Sequence, residues 1–156
     1  GIPCMQSLAL ALAVPVAIGV AYRVGYRAAR AREVVNTERA PAAIGPYSQG
    51  VKAGGLLFVS GQIPIDPATG EFSGSTIEAQ AAQVMRNLRS IVEASGCSMQ
   101  DVVKCTILLA DIADFATVNE VYKSNFSPPY PARAAFAVKA LPKGALVEIE
   151  CVAALP

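Results

Sequence analysis

Arg133, Glu148 and Glu150 are the side chains whose type and spacing suit work on a small carboxylate-bearing molecule. An arginine offers a planar, permanently charged fork that grips a carboxylate through two parallel hydrogen bonds. A glutamate beside it can take a proton from water or return one, worth roughly 10²–10⁴-fold in rate. The chain holds no histidine. That removes Ser-His-Asp and Cys-His nucleophile systems and histidine-ligated metals. Arginine, carboxylates, tyrosine, serine, lysine and backbone groups remain to carry chemistry.

The elements that must position these groups follow from local pattern. Pro128, Pro129 and Pro131 push the chain into extended geometry, so Arg133 opens a strand. Along it Ala134, Phe136 and Val138 share one face, and Arg133, Ala135 and Ala137 the other. Leu141-Pro142-Lys143-Gly144 turns the chain. In the next strand Val147, Ile149 and Cys151 oppose Glu148 and Glu150. If the two strands are neighbours, the arginine and a carboxylate can lie on one side of one sheet. Spacing alone does not choose between Glu148 and Glu150, and an arginine opening a strand is often only a surface ion-pair partner.

Upstream, Pro46 to Lys52 alternates weakly and ends at Gly54-Gly55, a hairpin signal; Leu56 to Ile63 is a second strand. Ser75-Thr76-Ile77-Glu78 matches a capping box. Ile77, Ala81, Val84, Leu88 and Ile91 then predict an amphipathic helix that Gly96 ends. Val102 to Leu109 reads as a buried strand, and Asp111 or Asp114 can cap a second helix carrying Phe115, Val118 and Tyr122. Asn119 lies on that helix, read as off its apolar stripe. The order is β-β-α-β-α-β-β, an α+β fold with one sheet and both helices on one face. Arg133 and Glu148 are expected on the opposite face, which must meet water or other subunits.

At 156 residues one globular domain is expected, over 34–156. A net charge of +1, with no basic run and no tryptophan, gives no case for nucleic-acid binding. Cys4, Cys97, Cys105 and Cys151 lack zinc-ligand spacing and read as small hydrophobes in a reducing compartment. Residues 1–33 form a hydrophobic N-terminal segment: Leu8 to Val20 is nearly all apolar, and Arg23, Arg27, Arg30 and Arg32 follow with no acid before Glu33. It reads as a membrane-spanning helix, as a targeting remnant or as an interfacial helix. Its retention in a chain that begins at Gly1 favours an anchor over a discarded signal.

Five pieces carry a family likeness. They are Ile44-Gly45-Pro46-Tyr47-Ser48-Gln49, Phe58 to Pro64, Val118-Asn119-Glu120-Val121-Tyr122, Tyr130-Pro131-Ala132-Arg133, and Leu141 to Glu150. In this order and separation they resemble the reactive-intermediate deaminase family, RidA, also called the YjgF family. The resemblance covers roughly four fifths of the chain, from about residue 34 onward. It implies a chorismate-mutase-like α+β homotrimer with clefts between subunits. It also implies hydrolysis of 2-imino and enamine acids, such as 2-iminobutanoate and 2-iminopropanoate, to 2-oxo acids and ammonia, with no metal or cofactor. Arg133 would hold the substrate carboxylate, Glu148 would handle water and the imine proton, and Tyr47, Ser60, Gly61 and Asn119 would line the cleft. Ala135 stands where some relatives carry a cysteine.

The alternative is a non-catalytic accessory subunit attached to a membrane protein complex through its first helix. A translation-inhibiting or RNA-cleaving role fits poorly with near-zero charge and no histidine. The N-terminal segment suggests an organelle, a mitochondrion or plastid, with membrane attachment; a cytoplasmic location is the alternative.

Overall fold

Ile77, Ala81, Val84, Leu88 and Ile91 recur at helical spacing, and the computed structural model, which describes residues 32–156, places them in one helix, α1 (Ile77–Ala94). Thr76 caps it, its hydroxyl accepting from the Ala79 N–H at 3.3 Å. The cap therefore sits one residue later than the Ser75 capping box anticipated, and Glu78 falls in the first turn. Gly96, at φ +89°, follows the helix in a backbone region that penalises a Cβ.

Six strands form one sheet: β1 (Glu33–Val35), β2 (Gly50–Ala53), β3 (Leu56–Gln62), β4 (Val102–Leu109), β5 (Ala132–Ala137) and β6 (Val147–Ala154). Their spatial order is β1-β2-β3-β6-β4-β5. Gly54 and Gly55 both take positive φ and close the β2–β3 hairpin. The short β1 was not anticipated. It pairs Val34 with Val51 and takes Glu33 into the sheet, where Lys52 binds its carboxylate at 2.7 Å. Three residues leave no period to read.

The second helix, α2 (Phe115–Lys123), links β4 to β5. Asp111 caps the short turn before it (Ile112–Asp114), accepting from Ala113 N–H at 2.9 Å; Asp114 makes no side-chain cap. A crossover through a helix joins parallel strands, and β5 indeed pairs parallel with β4. So β4 lies between β5 and β6, and the two strands expected as neighbours are separated.

Both helices cover one face of the sheet. Leu57, Val59, Cys105, Ile107, Leu109, Val147, Ile149, Cys151 and Ala153 meet Val84, Met85, Leu88, Ile91, Val118 and Tyr122 in one core. Cys97, Cys105 and Cys151 are free and buried, as small hydrophobes would be. The other face is open and carries exposed Val34, Phe58 and Phe136. Of the expected N-terminal hydrophobic segment, 1–33, residues 1–31 lie outside the described residues, and Glu33 belongs to β1. Among the described residues no helix is long and apolar enough to cross a membrane.

Leu88 is fully buried at the centre of α1. Leu88→Ala should cost about 2–5 kcal/mol, read as a lower urea midpoint at unchanged slope.

Candidate functional site

Strand register decides where each candidate side chain goes. Residues directly opposite one another share a face. Cys151 of β6 pairs with Cys105 of β4, and Cys105 pairs with Arg133 of β5. Both cysteines are buried under the helices, so Arg133 emerges on the helix face. Glu148 pairs with Leu108, which pairs with Phe136, and this row faces away from the helices. The expectation that Arg133 and Glu148 share the open face is therefore corrected: within one chain they lie on opposite faces, with β4 between them. The strand pattern misled because β5 holds one large apolar residue, Phe136. It turns outward while small Ala135 packs on the core.

The Glu148 half of the site is built at an irregularity in β3. Val59 pairs with Cys151 but Gln62 pairs with Ile149, so β3 gains a residue at Ser60-Gly61. Gly61 lies directly against Glu148. A methyl group built on Gly61 would overlap the Glu148 carboxyl, so the missing side chain makes the space the acid occupies. The Ser60 hydroxyl donates to Ser48 O at 2.7 Å, and Ser60 N–H to Gln49 O at 3.0 Å. Ser60 thereby ties the Tyr47 loop to the bulge. Tyr47 is exposed, and its hydroxyl accepts from Ile44 N–H at 3.4 Å. Ile44, Tyr47, Ser60, Gly61, Ile63, Pro142 and Glu148 line a cleft of about 280 Å³. Removal from water, then repulsion from Glu150, raises the Glu148 pKa above the ordinary carboxylate value.

The Arg133 half is built by α2. Phe115, Asn119 and Tyr122 fall at i, i+4 and i+7, on one side of the helix. Asn119 thus joins the aromatic pair, where the sequence reading set it off the stripe. Arg133 donates to Asn119 Oδ1 at 2.8 Å. Its guanidinium carbon sits 4.9 Å from the Tyr122 ring centre and 5.5 Å from that of Phe115, within cation–π range. Among the described residues it pairs with no carboxylate. A cleft of about 400 Å³ opens beside it, lined by Asn119, Tyr122, Lys123, Tyr130, Pro131 and Arg133. The aromatic cradle was visible as spacing but had been assigned to packing alone.

Burial pushes up the pKa of the Cys105 thiol and of the Tyr122 hydroxyl. Both groups stay neutral, so Tyr122 contributes its ring face and Arg133 the charge. No cluster of metal-ligating side chains occurs among the described residues. The arrangement offers an exposed guanidinium for an anion and, elsewhere, a carboxyl with a raised pKa for proton transfer.

Comparison with known proteins gives these residues a context. The family model described as Endoribonuclease L-PSP matches residues 37–155. The chain is 52% identical over 124 residues to "Reactive Intermediate Deaminase A, chloroplastic" of Arabidopsis thaliana, covering 80% of this chain and 66% of that protein. It is 50% identical over 122 residues to "2-iminobutanoate/2-iminopropanoate deaminase" of Bos taurus, covering 78% of this chain and 89% of that one. The crystal structure of RidA from an Antarctic Psychrobacter superposes with a TM-score of 0.76 at 50% identity, covering 79% of this chain and 99% of that one.

A carboxyl with a raised pKa in the folded state stabilises the fold below the ordinary glutamate range and loses that contribution as pH rises through the raised value. Glu148→Gln should therefore melt above the wild type, by a gap that widens as pH climbs from below that range to neutrality. Thermal unfolding of both proteins over a pH series checks this; a flat gap would show a well-solvated carboxyl.

Proposed function

The chain belongs to the Endoribonuclease L-PSP family, the RidA family of its sequence motifs, and from that premise we propose that it hydrolyses 2-imino acids to 2-oxo acids and ammonia. A 2-imino acid carries a carboxylate next to an electrophilic carbon. Arg133 binds the carboxylate with its fork, and the orientation so gained lowers the barrier to attack by water. Glu148 takes a proton from the water as its oxygen bonds to the imine carbon, and the C=N electrons move to nitrogen. The proton passes on to that nitrogen. The hydroxyl proton of the tetrahedral carbinolamine then passes through the Glu148 carboxylate to the nitrogen, the C–N bond breaks to release ammonia, and the C=O bond forms. Enamine acids enter once tautomerised to the imine. Every atom of the products comes from substrate and water, so the step calls for no cofactor.

The observation that carries this reading is a guanidinium set on aromatic faces, without an ion-pair partner among the described residues, in a chain that also fits a carboxyl with a raised pKa against Gly61. Tyr47, Ser60 and Gly61 line the Glu148 side, and Asn119 fixes the Arg133 fork.

The two halves face opposite ways in one chain, so we assign the complete site to the boundary between subunits of a homotrimer. The exposed Val34, Phe58 and Phe136 on the uncovered sheet face, and Arg133 on the edge strand β5, support that assembly. We further propose an organellar location, mitochondrion or plastid. The Arabidopsis relative described as chloroplastic and the apolar, then arginine-rich, residues 8–32 support it.

Two experiments test this. In an assay where a threonine dehydratase or amino-acid oxidase makes the imine and semicarbazide traps it, the wild type should speed imine loss. Arg133→Ala should lower that rate by about 10²-fold or more. An inert wild type, correctly assembled, would overturn the deaminase reading. Arg133→Ala and Glu148→Gln subunits, each inactive alone, should regain activity when unfolded and refolded together. Random assembly in a ring leaves about one boundary in four with both groups intact. Mixtures that stay inactive would place both groups of a site in one subunit.

A further inference from the structure

Helix α1 carries a second stripe beside its apolar one. Gln80, Gln83 and Asn87 recur at spacings of 3 and 4, and all three are buried. Amides buried inside a helix add little to stability that apolar side chains would not supply, unless their hydrogen bonds fix something.

The bonds of this stripe have a direction. Arginine can only donate. Arg86 Nε donates to Gln83 Oε1 at 3.2 Å, which fixes which end of that amide faces it. Gln83 Nε2 then donates to Asn87 Oδ1 at 2.8 Å. Asn87 is left presenting its NH₂, which donates to Ile63 O at 3.2 Å and Ile65 O at 2.9 Å. Asn87 is fully buried, with both ends of its amide engaged. Two turns before Asn87, Gln80 Oε1 accepts from Leu146 N–H at 2.9 Å.

Both destinations lead to Glu148, one across the cleft and one along the chain. Ile63 follows the Ser60-Gly61 bulge by two residues and forms a wall of the Glu148 cleft. The segment Ile63–Ile65 is itself a tight turn, with Ile65 N–H bonded to Ile63 O at 2.8 Å. Leu146 precedes Glu148 by two residues and lies immediately before β6. We propose that Asn87 and Gln80 are positioning residues for Glu148, holding the backbone at the Ile63 wall of its cleft and at the entry to its own strand. They touch no substrate; they act through Ile63–Ile65 and Leu146. The role in turnover rests on the deaminase reading, but the placement of the carboxyl does not.

The raised pKa of Glu148 supplies a readout that packing alone would not move. The titratable groups near it are Glu150 on its own strand and Tyr47 across the cleft. If the Ile63–Ile65 wall loosens, water reaches the carboxyl and its pKa falls toward the ordinary glutamate value. The experiment compares full-length wild type, Asn87→Ala, Gln80→Leu and a core control, Leu88→Ala (Met85→Ala should the first not stay folded). All are held at a temperature where circular dichroism shows them folded and sizing shows the wild-type assembly. The ¹³C carboxyl signal of Glu148, assigned by its loss in Glu148→Gln, is titrated in each. Imine hydrolysis is measured in parallel.

The two stripe variants should titrate Glu148 at lower pH than the wild type. Their kcat should fall about 10-fold or more, with KM within about twofold because the Arg133 half is untouched. The core control should keep the wild-type titration and kcat. Stripe variants that titrate Glu148 as the core control does would overturn the proposal. A wild type that is inert toward imines would instead remove the deaminase reading and leave the titration to decide the positioning role.

Discussion

The pairing of Cys151, Cys105 and Arg133 across three adjacent strands is the constraint on which the arrangement of the site depends. Side chains alternate along a strand with period two, and opposed residues share a face. Once burial pins the two thiols under the helices, Arg133 has no freedom to join Glu148 on the open side. A one-residue slip of β5 would send Arg133 to the other face, away from Asn119 and the aromatic rings of α2. The β4–α2–β5 crossover sets that register, and α2 is also the element that receives the guanidinium. One connection therefore places the charge and furnishes its seat.

The two halves of the site hold their groups by opposite physics. Arg133 stays exposed and keeps its charge against ring faces, where the π quadrupole replaces some of the hydration it gives up. Glu148 is half-buried beside another carboxylate, so its charged form is disfavoured until a cation or a proton acceptor arrives. Neither is neutralised by the other within a chain. The protein thus carries an unspent cation and a strained acid on separate surfaces, a condition that bringing two subunits together can use.

Much of this was legible in the sequence. The 4, 3, 4, 3 spacing of Ile77 to Ile91 marked α1, Gly54-Gly55 marked the hairpin, and the alternation from Val147 to Cys151 put Glu148 outward. The mistake about Arg133 came from a strand of alanines, where alternation carries no hydrophobic contrast to read. Its edge position also follows from the β4–β5 crossover, a long-range choice that local pattern does not encode. β1 escaped notice because a three-residue strand exists only through its partner. The polar stripe of α1 was hidden in plain sight: glutamine and asparagine look like solvent-facing residues until tertiary structure buries them. Ser60 and Gly61 were picked out by the motif, yet the bulge they form and the reason for the glycine, the volume taken by the Glu148 carboxyl, needed three dimensions.

The three cysteines in the core make the sheet its own chronometer. Cys97, Cys105 and Cys151 lie beneath the helices, and burial keeps the last two as unreactive thiols. They come from the loop after α1 and from the adjacent interior strands β4 and β6. A thiol reagent can reach Cys105 or Cys151 only when α1 and α2 lift from the sheet. The rate at which those sulfurs become modified therefore counts openings of the core, with the protein's own residues as the reporters.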